Sequence, residues 1–428
     1  MFFHEADVRA VTVAATCNVA CALVGCFLVV RRISLMGDAL SHAVLPGLVV
    51  AVIFTGDVKA GPILLGALAA GVVTTLLTSV AQRYGRVAAD ASLGVVFTSM
   101  FALGVVLVKR YISDVHFDIS CIYEGSLLKI ALDTIDVGGV EIPRALPAAA
   151  LVLAVVLGCL ALFWKELLVG SFDPGLAHNL KLAPQAMHYL LMVLVSFTTV
   201  ASFQAVGSIL VVAMLIAPPA AAQLLSDRMP RILLIAAGLT LVATVGGYAA
   251  SIALGVSSAG MMACSAGLLY AAAALGSPRY GVLSRLATNA RVALRVRRED
   301  VLSRLYRDAE GTGGPATTPE AAQAEAGGGL IGFFALQSLK RRNLVLDTDG
   351  RLQLTEAGAA EGSRLVRAHR LWETYLVDQV GVQPDHVHEA AHLMEHYLDE
   401  PIRAEIAGAV DSSEDPHGRR IPDGEVPE

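Results

Sequence analysis

Nine stretches in the first 280 residues are long and apolar enough to cross a bilayer, and they restrict the fold more than any motif does. In hydrocarbon, every backbone N–H and C=O must be satisfied internally, and an apolar run of about 17–25 residues achieves this as a helix. The runs fall near 8–30, 38–55, 60–82, 90–108, 146–164, 187–203, 206–226, 231–254 and 257–276. Charge marks where this regime ends. Lys, Arg, Asp and Glu number 29 in residues 1–280 but 41 in residues 281–428. The expectation is an all-α polytopic membrane domain of about nine transmembrane helices over 1–285, followed by a mainly α soluble part. The latter divides into a basic juxtamembrane linker, a first helix and a flexible Gly/Ala-rich stretch over 286–330, then a further domain over 331–428.

The positive-inside rule sets an orientation. Placing Arg31-Arg32, Arg83/Arg86, Lys165/Lys181, Arg228/Arg231 and Arg279 inside puts the N-terminus outside and the tail in the cytoplasm, with Lys109-Arg110 against the rule. The chain reads as a multi-pass protein of the inner (plasma) membrane. MFFHEADVRA carries acids and no basic n-region, so the first run is expected to be retained. The six cysteines form no CxxC pair, and five lie in apolar runs, which suits buried, inert thiols. Segment 111–145, with Asp114, His116, Asp118 and Glu124, reads as an external loop with a short amphipathic piece, and 171–185 as an inside loop.

Within the apolar part, RRISLMGDALSHAVLPG places Asp38 and His42 four apart, on one helix face. Ionisable groups at membrane depth cost on the order of 2.5–3.5 kcal/mol on insertion scales, so they are kept for a reason. Two readings stand: a cation site on a translocation path, or an interfacial pair at a helix end. Gly37, Pro46 and Gly47 allow either close packing or a broken helix lining a cavity. Pro218-Pro219 removes two backbone donors from another run and is expected to kink it.

The tail contains HRLWETYLVDQVGVQPDHVHEAAHLMEH. His369 and Glu373 share one face of a helix expected over about 355–380. His388, His392, Glu395 and His396 share a face of the next, which starts near His386 with Asp385 as N-cap. Imidazoles and carboxylates without sulfur suit Mn²⁺, Fe²⁺ or Zn²⁺ rather than a soft metal. There is no HExxH, so hydrolytic chemistry is not indicated, and no GxxxxGK[ST], so this chain binds no nucleotide of its own through a P-loop. Residues 311–330 read as a loop, and NLVLDTDGRLQL as a hairpin turning at Asp349-Gly350.

RRISLMGDALSHAVLPG, DASLGVVFTSMFALGVVLV, KELLVGSFDPGLA, FQAVGSILVVAMLIAPPAAAQLL and GSPRYG together resemble the permease subunit of metal-type ABC importers over about 8–285. The resemblance implies a homodimeric, non-enzymatic permease for zinc, manganese or iron. Asp38 and His42 match the polar pair presented to the passing ion. It also implies a separate cytoplasmic ATPase and an external solute-binding protein.

LTEAGAAEGSRLVRAHRLWETYLVDQVGVQPDHVHEAAHLMEH resembles the metal-binding and dimerisation domain of the diphtheria-toxin-repressor family. The resemblance implies one metal site at His369, Glu373 and His388, and another at His392, Glu395 and His396 with Asp300 of REDVLSRLY. Iron-type members tend to use Cys and Met where His392 and Asp300 stand, so the pattern leans toward manganese. The family's DNA-reading winged helix matches GGGLIGFFALQSLKRRNLV but is degenerate. Leu330, Ile331, Phe333 and Phe334 stand where polar side chains would read bases, and the preceding helix is replaced by a Gly/Pro/Ala-rich stretch. Sequence-specific DNA binding is expected to be lost. Two functions follow: a permease with a built-in sensor that feeds back on transport, or a permease fused to a metal-dependent repressor released by cleavage.

Overall fold

The computed structural model describes residues 4–55, 60–85, 88–111, 127, 132–137, 140–311, 318–348, 350–394, 396 and 400–423. It divides into two compact units, Met1–Arg285 and Leu286–Glu428.

Unit 1 opens with α1 (Glu5–Val30), whose start is set by two acids in its first turn. The His4 amide donates to Asp7 Oδ2 at 2.8 Å, and the acids complement the helix dipole. There follow α2 (Leu35–Ala43), α3 (Leu45–Thr55), α4 (Ala60–Gly85) and α5 (Ala89–Tyr111), then a hairpin of β1 (Thr134–Val137) and β2 (Val140–Pro143). After it come α6 (Ala145–Leu162), α7 (Trp164–Phe172), α8 (Pro174–Asn179), α9 (Pro184–Val206), α10 (Ser208–Leu225), α11 (Met229–Leu254) and α12 (Ser258–Gly276). Among the described residues, α1, α4, α5, α6, α9, α10, α11 and α12 are long and apolar enough to span a bilayer.

The expected span at 38–55 is instead the broken pair α2–α3. Pro46 cannot donate to the carbonyl four residues earlier, and the helix restarts around it. The prolines at 218 and 219 do not end α10, which runs through both and buries them. Segment 171–185 is not simply a loop. It contains the end of α7 and the short α8, whose N-cap Asp173 accepts from the Leu176 amide at 2.9 Å. Asp114, His116, Asp118 and Glu124 lie outside the described residues. The part of that segment that is described contains the β1–β2 hairpin, tied to α1 by Arg9–Glu141 at 2.8 Å.

The core of unit 1 is built around α1, which packs on α6, α9, α10 and α11 through small residues. A Cβ on Gly25 would stand 2.0 Å from the Leu215 carbonyl oxygen, so only glycine admits this approach of α1 to α10. Asn18 Nδ2 donates to Thr244 Oγ1 at 2.9 Å, a polar tie in an apolar interior. Gly207, at φ +81°, turns α9 directly into α10. Cys17, Cys21 and Cys26 are buried, whereas Cys264, expected to be buried, is exposed on α12.

Unit 2 is built on α13 (Val282–Glu310), α14 (Pro319–Glu325), α15 (Gly329–Arg341), the hairpin β3 (Val345–Thr348) and β4 (Arg351–Leu354), α16 (Glu356–Tyr375), α17 (Val387–Met394) and α18 (Glu400–Ala409). Thr348 pairs with Arg351 across the hairpin turn, and Gly350 takes φ +75°. The stretch 311–330, expected to be a loop, contains α14. Thr318 caps it by accepting from the Ala321 amide at 3.3 Å, and Pro319 occupies the first turn, where its missing N–H costs nothing. A helix therefore does precede α15. Val301, Leu302 and Leu305 of α13 and Ala322 of α14 bury with Ala335, Leu336 and Leu339 of α15 in one core. Thr355 caps α16 by accepting from the Gly358 amide at 3.0 Å. That helix passes into a π turn, Leu376–Val380, and stops at Gly381 in the left-handed region. Asp385 does not start the next helix. It sits in a 3₁₀ turn, Pro384–His386, with its carboxylate 2.7 Å from His386 Nδ1.

Candidate metal centres

The helical four-residue repeat brings His369 and Glu373 of α16 together on one face, and both are almost fully buried. His388, on the second position of α17, closes a triangle with them. His369 Nε2 lies 3.1 Å from Glu373 Oε1 and 3.2 Å from His388 Nδ1, and His388 Nδ1 lies 2.9 Å from Glu373 Oε1. Three donor atoms this close place lone pairs or N–H dipoles against one another, an arrangement that a cation at their centre relieves. Ligands at right angles around an ion with bonds of about 2.1 Å stand about 3.0 Å apart, and tetrahedral ones about 3.4 Å. The observed edges, 2.9–3.2 Å, fall within the spacing that ligands of one divalent ion adopt. The donor set and spacing fit a divalent ion.

The second group joins α13 to the end of α17. Asp300 Oδ1 lies 3.1 Å from His396 Nε2 and 3.9 Å from His392 Nε2. In each group, one ligand atom per residue falls within 4.8 Å of the others. Asp300 and His396 are buried side chains, while His392 is about half exposed. Glu395 lies outside the described residues.

Sequence reasoning missed Glu299. Its Oε2 receives the His396 Nδ1–H at 2.8 Å, which leaves Nε2 to face Asp300. Arg295 holds the other oxygen, Nε to Oε1, at 2.8 Å. A signal existed in the sequence, since Glu299 adjoins Asp300. Adjacent positions on a helix diverge by about 100°, however, and spacing rules do not pair them. Arg370, next to His369, is a second omission. Its buried guanidinium grips Glu310 of α13 at 2.6 and 3.1 Å and the Arg420 carbonyl at 2.6 Å, fixing α16 against α13 and the C-terminal segment.

The electrostatics follow from these contacts. Burial pushes the Glu373 carboxyl up, but the hydrogen bonds and charges of His369 and His388 outweigh it and bring it down to about 2. Burial likewise raises Glu299, and His396 with Arg295 more than offsets it, leaving it below the ordinary carboxylate value.

In unit 1, Asp38 and His42 both lie on α2, with His42 Nε2 3.6 Å from Asp38 Oδ1. They are partly exposed, at 48% and 32% of their side chains. The His42 ring stands edge-on to Phe101 of α5 at 5.8 Å and tilted against Phe97 at 6.2 Å. The break before Pro46 follows His42 within one helical turn.

Residues 4–277 match the family model of the ABC 3 transport family. The chain belongs to the ABC 3 transport family. Among its relatives, the manganese transport system membrane protein MntD of Bacillus subtilis is 43% identical over 271 residues, covering 63% of this chain and 91% of that protein. The zinc transport system membrane protein TroD of Treponema pallidum is 40% identical, covering 64% and 75%. PsaBC from Streptococcus pneumoniae, solved in complex with a Fab, superposes with a TM-score of 0.56 at 28% identity, covering 67% of this chain and 95% of that one. To its ABC 3 portion this chain adds a tail whose residues 355–423 match a second family model, the metal binding and dimerisation domain of iron dependent repressors.

Proposed function

We propose that this chain is the permease subunit of an ATP-binding-cassette importer of a divalent transition metal, manganese or iron in preference to zinc. We further propose that its tail senses the incoming ion in the cytoplasm and throttles uptake. The observation that carries this reading is the presence of two His/carboxylate triads in the same polypeptide as an ABC 3 transport domain. Relatives named for manganese and zinc transport support the cargo class.

Asp38 and His42 receive the cargo beside the α2–α3 break. Two protein ligands are fewer than a divalent ion takes, which suits a site that must release its ion. Water or the second copy of a homodimer supplies the remainder. A solute-binding protein delivers the ion from outside. A separate ATPase docks on the inside loops and drives the change between outward and inward states.

In the tail, His369, Glu373 and His388 would hold one ion, and Asp300, His392 and His396, with Glu395, a second. A bound ion supplies a divalent charge where α13, α16 and α17 meet. Glu373, already ionised, offers an anionic ligand without first losing a proton. Glu299 holds His396 in the tautomer that turns Nε2 to the site, and Arg370 keeps α16 in register with α13. For metal to throttle uptake tenfold, the tail must bind it more tightly in the throttled state by about 1.4 kcal/mol.

The test is uptake into proteoliposomes containing the full transporter and loaded with manganese on the tail side. Uptake by the native chain falls as loaded manganese rises, and His369→Ala with Glu373→Ala removes the fall while initial uptake stays at the native rate. Identical behaviour of variant and native chain would sink the feedback reading.

A further inference from the structure

Helix α15 is apolar on both faces. Its inner face, Gly332, Ala335, Leu336 and Leu339, is buried in the core of unit 2. Its outer face begins with Leu330, Ile331, Phe333 and Phe334, which are 76%, 53%, 47% and 57% exposed. Together they present on the order of 400 Å² of apolar surface, comparable to the largest patch on an ordinary soluble domain and of the kind that marks an interaction site. The helical repeat carries this stripe onward through Gln337 to Arg341, with Arg342 beside it, all exposed. The helix contains no acidic residue. The result is a short element with an aromatic–aliphatic end and a cationic end.

Three features name what covers this face. The apolar side chains have no donors or acceptors for base edges, which disfavours nucleic acid. Arginines at the far end complement an anionic surface. Unit 2 also begins at Leu286, ten residues after Gly276 ends the last bilayer-length helix. So short a covalent connection to a bilayer-length helix raises the concentration of lipid that unit 2 meets.

We propose that the outer face of α15 docks on anionic lipid. Leu330, Ile331, Phe333 and Phe334 enter the boundary between headgroups and acyl chains, and Arg341 and Arg342 meet lipid phosphates. A helix matching a DNA-reading element thus serves as a membrane foot for the tail. This holds whether or not the tail regulates transport.

The experiment uses the full chain in nanodiscs of phosphatidylcholine, with or without phosphatidylglycerol, and a photoreactive benzophenone amino acid in place of Phe334. The expected result is lipid adducts, several-fold more abundant with phosphatidylglycerol and reduced several-fold by Arg341→Glu with Arg342→Glu. Amide exchange across 329–341 in the native chain slows in the same anionic nanodiscs, a check that does not depend on the substitution. Adducts to a second copy of the chain or to added duplex DNA overturn the proposal. So does lipid labelling indifferent to both phosphatidylglycerol and charge reversal, or absent labelling with unchanged exchange.

Discussion

Replacing Glu373 by Gln keeps the side chain's shape and removes its charge. Glu373 Oε1 is the corner shared by two of the three short contacts of the first triad, to His369 and to His388. Its carboxyl is held at about 2 against an ordinary value of 4.5. At about 1.36 kcal/mol per pKa unit, that difference amounts to about 3 kcal/mol favouring the ionised, folded form at neutral pH. Because the folded value is the lower one, this contribution is complete above the ordinary carboxylate range and is lost as pH falls toward 2. At pH 3 roughly half of it remains. In the metal-free chain, Glu373→Gln should therefore lower the melting temperature of unit 2 by about 6–12 °C at pH 7, at roughly 2–4 °C per kcal/mol for a domain of this size. The offset should shrink to about half at pH 3. Trp372 neighbours the triad and stacks on Tyr375, with ring centroids 5.5 Å apart. The chain has only two tryptophans, so in a Trp164→Phe background Trp372 fluorescence reports the melt of this unit alone. Adding manganese should raise the melting temperature of the native protein well above that of the Glu373→Gln variant, since a ligand stabilises only the state that binds it. An offset of equal size at pH 7 and pH 3 would refute the electrostatic reasoning.

Three further outcomes are expected. Asp38→Asn and His42→Ala should each cut radiometal uptake at least about tenfold while leaving the yield of folded protein unchanged, since both sit on a partly exposed face of α2; full uptake would remove the pair from the ion's path. Glu299→Gln should weaken manganese binding at the Asp300–His392–His396 group by about 10–100-fold and spare the other triad, read by titration calorimetry as the loss of one binding phase of two. Gly25→Ala should force α1 away from α10, because its Cβ would meet the Leu215 carbonyl, at a cost of about 1–3 kcal/mol visible as a lower melting temperature of unit 1 in detergent.

Of the nine spans expected from hydropathy, eight are bilayer-length helices among the described residues, because the need to satisfy backbone groups in hydrocarbon acts locally, on each run by itself. The four-residue spacings that pair His369 with Glu373 and Asp38 with His42 were legible for the same reason. A helix places such residues on one face regardless of what surrounds it. Local rules failed where the deciding partner is distant in sequence. The break at Pro46 separates one expected span into α2 and α3. The Gly- and Ala-rich stretch before α15 contains a helix because Ala322 has Val301 and Leu302 to bury against. The resemblance already implied two separate sites, but which ligand atoms meet required the fold. His388 faces Glu373 while His392, one turn later on the same helix, faces Asp300 some 90 residues upstream. Glu299 becomes the support of His396 only when α13 and the end of α17 meet. The sequence by itself determined which side chains could share a helix face and which segments could enter a membrane. Tertiary structure alone decided which faces meet, because contacts between distant segments depend on packing that no local periodicity encodes.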